Sequence, residues 1–129
     1  MSVIALVVDD SMLIRYTVCR FLEERGFTVE SATNGLEALE LLGRTKPDLI
    51  VTDIQMPKMS GSELITAIKS RSDLAQIPII VVSSGASGCI ESEKRANFAI
   101  YKDIDIEDQL AKALRMLMGS RARKHAAGK

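Results

Sequence analysis

Tryptophan is missing from this 129-residue chain, and its aromatic complement is three phenylalanines and two tyrosines. The basic residues of the C-terminal stretch, Arg121, Arg123, Lys124 and Lys129, have no aromatic among them. Both absences argue against a nucleic-acid face, which pairs cationic side chains with stacking rings. Cysteine is equally scarce. Cys19 and Cys89 fall outside any CxxC or Cys/His spacing, so neither a disulfide nor a zinc site is expected. Long apolar runs are lacking too: the N-terminal VIALVV is too short for a membrane span or signal-peptide core, and Asp9 and Asp10 follow it instead of a small-residue cleavage site. A cytoplasmic protein with no membrane partner is expected. Net charge is zero, yet the last eleven residues take four of the 17 bases and none of the 17 acids, leaving the rest mildly acidic.

What remains is ordinary globular material, 47% apolar and 26% charged, enough for one domain with a proper core. VIALVV is continuously apolar, the mark of a central strand covered on both faces in a parallel sheet. Ser11 can cap a helix with an inner face of Ile14, Val18, Phe21 and Leu22, ending at Gly26. Phe27, Val29 and Ser31 alternate with Thr28 and Glu30, as in a less buried strand near the sheet edge. Asn34-Gly35 opens a second helix (Ala38, Leu39, Leu42) that stops at Gly43, before Pro47. Then LIVT runs to Asp53, a loop with Pro57 closes at Gly61, and Leu64, Ile65 and Ile68 stripe a third helix. Ile79 to Val82 and Phe98 to Tyr101 complete five strands. The 14 residues between Ser83 and Phe98, 84–97, show no helical stripe, so a fourth helix there should be short or irregular. The last helix carries Ile106, Leu110, Ala113, Leu114 and Leu117 on one face and is expected to stop at Gly119, with a flexible basic tail over 119–129. Strands alternating with helices predict an α/β, doubly wound parallel sheet.

Each of four runs ends in a residue that handles phosphate: Asp9 and Asp10, Asp53, Ser83, and Lys102. In an open α/β sheet all of these surface at the carboxyl edge, where such sheets place their ligand sites. Carboxylates crowded there repel one another, by roughly 4 kcal/mol per pair at 4 Å and an effective dielectric near 20, and call for a hard cation with oxygen ligands such as Mg2+. Asp53 is then a candidate nucleophile toward phosphorus, with Lys102 and Ser83 to compensate charge on the transferring group.

VVDDS, TDIQMPKMSG, PIIVVSS and the lysine after a short strand together resemble the receiver domain of two-component response regulators over residues 3 to about 118. The resemblance implies a flavodoxin-like (βα)5 fold of strand order 2-1-3-4-5 and a receiver over 1–118. It implies that Asp53 accepts a phosphoryl group from a sensor histidine kinase or a histidine phosphotransfer protein. Asp10 and Asp53 would ligate Mg2+, Asp9 would help through water, Gln55 would offer its carbonyl, and Ser83 and Lys102 would contact the phosphoryl group. Such a module catalyses only its own phosphorylation and dephosphorylation. As the ten residues after Gly119 cannot fold alone, a single-domain regulator is expected, with output through a downstream effector protein; dimerisation on phosphorylation stays open.

Two positions depart from the family pattern: Asp103 stands where a proline usually follows the lysine, and Ala99 replaces the switch aromatic. Ala99 and the thin composition of 84–97 lead to the expectation that phosphorylation alters order or position in that segment instead of rotating a ring. The alternative function is a phosphorylation-independent pseudo-receiver that serves as a protein-binding module. A haloacid-dehalogenase-type phosphatase is disfavoured because Gln55 occupies its general-acid position, and a flavin site because Asp9 and Asp10 would repel the phosphate.

Overall fold

The structure, a computed structural model, describes residues 3–83, 95–102 and 105–127. Five parallel strands, β1 (Val3–Val8), β2 (Phe27–Ala32), β3 (Leu49–Asp53), β4 (Ile79–Ser83) and β5 (Phe98–Tyr101), lie in the order β2-β1-β3-β4-β5. Around them stand α1 (Met12–Glu23), α2 (Gly35–Leu42), α3 (Gly61–Lys69) and α4 (Ile106–Ala127). This is the flavodoxin-like, doubly wound α/β fold expected from the alternation of runs.

Every residue of β3 and β4 is buried, as their continuous apolar runs require, whereas the alternating β2 forms one edge of the sheet. Side chains alternate between two cores. Val7, Val51, Val82 and Ile100 pack with Val18, Phe21 and Leu22 of α1 and Leu110 and Ala113 of α4. Val8, Ile50, Ile79 and Val81 pack with Ala38 and Leu42 of α2 and Leu64, Ile65 and Ile68 of α3 on the other face.

The expected punctuation holds at most ends. Ser11, Asn34 and Ser60 cap α1, α2 and α3 through their side-chain oxygens, and Ser60 forms a reciprocal box with Glu63. Gly26 follows α1 with φ +91°, a left-handed conformation that a Cβ would strain. One expectation is corrected: Gly119 does not stop the last helix, which continues to Ala127. A single interior glycine costs about 1 kcal/mol relative to alanine, and the Ala, Arg and Lys residues that follow are good helix formers. Of the segment 84–97 expected to hold an irregular helix, residues 84–94 lie outside the described residues, as does Asp103, and 95–97 form a turn before β5. Among the described residues, no helix is long and apolar enough to cross a membrane.

Candidate functional site at the carboxyl edge

The two-residue period of the strands assembles the site. Val7, Val51 and Ile100 face the α1/α4 core, so Asp9, Asp53 and Lys102, each two residues further on, emerge on that same side of the rim. The ammonium of Lys102 bridges the two acids, with Nζ 3.2 Å from Asp9 Oδ2 and 3.1 Å from Asp53 Oδ2. Asp9 and Asp53 are buried, 2% and 4% exposed, while Asp10 is exposed. One carboxylate oxygen from each of Asp9, Asp10 and Asp53 lies within 4.8 Å of the others. Ser83 is buried at the end of β4, and its carbonyl accepts the Lys102 N–H at 2.9 Å. Gln55 is exposed, and its backbone N–H donates to Asp53 Oδ1 at 3.4 Å. All six residues singled out in the sequence therefore stand at one edge of the sheet.

Electrostatically the cleft is strained toward negative charge. Burial, then the neighbouring Asp9 charge, push the Asp53 carboxyl up to about 6 against the pull of Lys102. Burial likewise raises Asp9 above the ordinary carboxylate value, although the Ser11 N–H and Lys102 favour its ionised form. Burial disfavours the Lys102 ammonium, but the Asp9 and Asp53 charges more than offset that and hold its pKa above the ordinary value. One ammonium among three carboxylates leaves an uncompensated all-oxygen donor set. Its chemistry fits a hard divalent cation such as Mg2+, held by Asp9, Asp10 and Asp53.

The loop after β3, expected to close at Gly61, shows what that closure consists of and adds a constraint at Lys58 that no residue pattern announced. Gly61 N–H donates to the Ile54 carbonyl at 2.7 Å, and a Cβ on Gly61 would run into the Asp53 carbonyl and sit 2.8 Å from Ile54 Cα. Lys58 has φ +70° beneath a Met59 N–H to Pro57 carbonyl bond of 2.7 Å, a tight turn that side-chain-bearing residues seldom adopt. Arg15 was also missed: its Nη1 donates to the Asp9 carbonyl at 2.8 Å. A lone arginine on a helix gives no signal of such a contact, because the acceptor is backbone.

Ala99 packs against the α2/α3 core, and Tyr101, 36% exposed, points away from buried Ile100 as strand alternation requires. Neither side chain joins the acidic cluster.

The arrangement is that of a flavodoxin-like α/β domain with an acidic, oxygen-lined cleft at its carboxyl edge. A model of the response regulator receiver domain matches residues 5–116, and the chain belongs to that family. The Regulator of RpoS from Escherichia coli (strain K12) is 35% identical over 112 residues, 87% of this chain and 31% of that protein. Among solved structures, the signal receiver domain of a signal transduction histidine kinase from Syntrophus aciditrophicus superposes with a TM-score of 0.81 at 32% identity, covering 92% of each chain. The chemotaxis response regulator CheY4 of Vibrio cholerae gives 0.79 at 30% identity, covering 90% of this chain and 98% of that one. The chain spans about a third of the length of the curated relatives it matches. Receiver domains are signalling modules that bind Mg2+ at an acidic site and interact with histidine kinases and downstream effectors.

Proposed function

We propose that Asp53 accepts a phosphoryl group from a phosphohistidine donor, a sensor histidine kinase or a histidine phosphotransfer protein, and that the modified domain signals by altered binding to an effector protein in the cytoplasm. The observation that carries this reading is the Lys102 ammonium bridging Asp9 and Asp53 at the sheet rim. A carboxylate oxygen of Asp53 forms the new bond to phosphorus as the P–N bond of the donor breaks, its electron pair leaving with the imidazole nitrogen. Lys102 then follows charge from the carboxylate to the phosphoryl oxygens, and the Ser83 hydroxyl donates a hydrogen bond to another. Asp9, Asp10, Asp53 and the carbonyl of Gln55 would hold Mg2+, which when bound neutralises charge on the transferring group. With a pKa of about 6, Asp53 is largely ionised, and so nucleophilic, at neutral pH. Beside the cleft, Met12, Leu13 and Tyr16 of α1 are 60 to 75% exposed, apolar surface that supports protein docking at this edge.

Incubation with acetyl phosphate and Mg2+, followed by intact-mass measurement, tests the proposal. A phosphoryl adduct is expected on the parent, and none after Asp53→Asn or in excess chelator. An unmodified parent, or an adduct that survives Asp53→Asn, favours the phosphorylation-independent binding module instead.

A further inference from the structure

The two acids after β1 are held very differently. Asp9 is fixed on every side: its N–H donates to the Ala32 carbonyl at 3.1 Å, its Oδ1 accepts the Ser11 N–H at 2.8 Å, and its carbonyl accepts Arg15 Nη1 at 2.8 Å. Asp10 is exposed, with a carboxylate oxygen within 4.8 Å of those of Asp9 and Asp53 and a side-chain contact with Asp53. The carbonyl that Arg15 grips belongs to the peptide unit joining Asp9 to Asp10. A peptide unit is planar and rotates as one body, so fixing that oxygen also fixes the direction in which the backbone enters Asp10.

We infer that Arg15 is a positioning residue for cation capture: by holding the Asp9 carbonyl it sets the Asp9–Asp10 peptide plane and keeps the Asp10 carboxylate in the cluster. The inference rests on the cation reading above and deepens it. Its sign is distinctive. A fixed positive charge beside a cation site repels the cation, so if Arg15 acted through charge alone, neutralising it would tighten Mg2+ binding. If it acts through the carbonyl, losing the donor weakens binding, as loss of an outer partner typically does by ten- to hundredfold.

Calorimetric titration with Mg2+ alone separates the cases, on the parent, Arg15→Met, which keeps the apolar stem without charge or donor, and Arg15→Lys, which keeps charge and one cationic donor group. Binding at least tenfold weaker in Arg15→Met, partly restored in Arg15→Lys, with the Asp10 amide resonance displaced in the metal-free Met variant, is the expected result. Affinity within twofold of the parent, or tighter, overturns the role of Arg15 while leaving the cation site standing; a parent that binds no Mg2+ overturns both. Should Arg15→Met fail to fold, Arg15→Gln, neutral and too short to replace the guanidinium, is read by the same criteria.

Discussion

Two aspartates five residues apart, Asp48 and Asp53, mark opposite ends of β3, and they show what position does to one side chain. Asp48 sits at the amino edge, half-buried, where its Oδ2 accepts the Ile4 N–H at 2.9 Å and its own N–H donates to the Ile4 carbonyl at 2.7 Å. It is a clasp between the starts of β1 and β3. Asp53 sits at the carboxyl edge, buried beside another acid, with its carboxyl pushed up to about 6. The first carboxylate completes backbone hydrogen bonding; the second is held in a setting that disfavours its charge, which suits the cation binding and phosphoryl exchange proposed for it.

The same substitution at both ends should therefore act with opposite sign. Because the native Asp53 keeps a proton that the unfolded chain, with its value near 3.8, has already released, metal-free stability should fall as pH rises through the window from about 4 to about 6. Asp53→Asn removes the Asp53 part of this slope, leaving the smaller part due to the raised Asp9 carboxyl, and should stabilise the metal-free protein at pH 7.5 by about 3 kcal/mol. Urea unfolding across pH checks this, and a variant no more stable than the parent contradicts it. Next in size is Gly61→Ala, expected to cost about 2 kcal/mol, since the new Cβ must displace the Asp53 carbonyl. Its midpoint in urea should drop in either the presence or absence of Mg2+, unlike that of Asp53→Asn. Smallest is Asp48→Asn, which keeps an acceptor for Ile4 but loses the charge-assisted bond, a destabilisation of about 1 kcal/mol. Stabilisation by Asp48→Asn would erase the contrast between the two ends.

Much of this was legible in the residue order. Runs of apolar residues without polar interruption foretold buried parallel strands, and their last residues named the rim: Asp9, Asp53, Ser83 and Lys102 all arrive there. Legibility failed where the deciding partner was backbone or where two weak signals competed. Arg15 bonds a carbonyl, Gly61, legible only as the residue that closes the loop, abuts one, and Lys58 takes its left-handed conformation in a loop whose pattern shows Pro57 and Gly61 as its constraints. At Gly119 a local stop signal lost to the helix propensity on either side of it. The bridge from Lys102 to both Asp9 and Asp53 also needed coordinates, because sequence spacing placed the lysine at the rim without telling which oxygens its ammonium would reach.

Since Asp9, Asp53 and Lys102 share a face only by counting in twos from Val7, Val51 and Ile100, the number of residues in each strand is part of the chemistry. Deleting one residue inside β3 would carry the carboxylate of position 53 round to the α2/α3 side and sever it from the lysine, without changing any residue of the cluster itself. Strand length here works like a reading frame, and a chain can lose the proposed reaction by slipping out of phase while every residue of the cluster is still present.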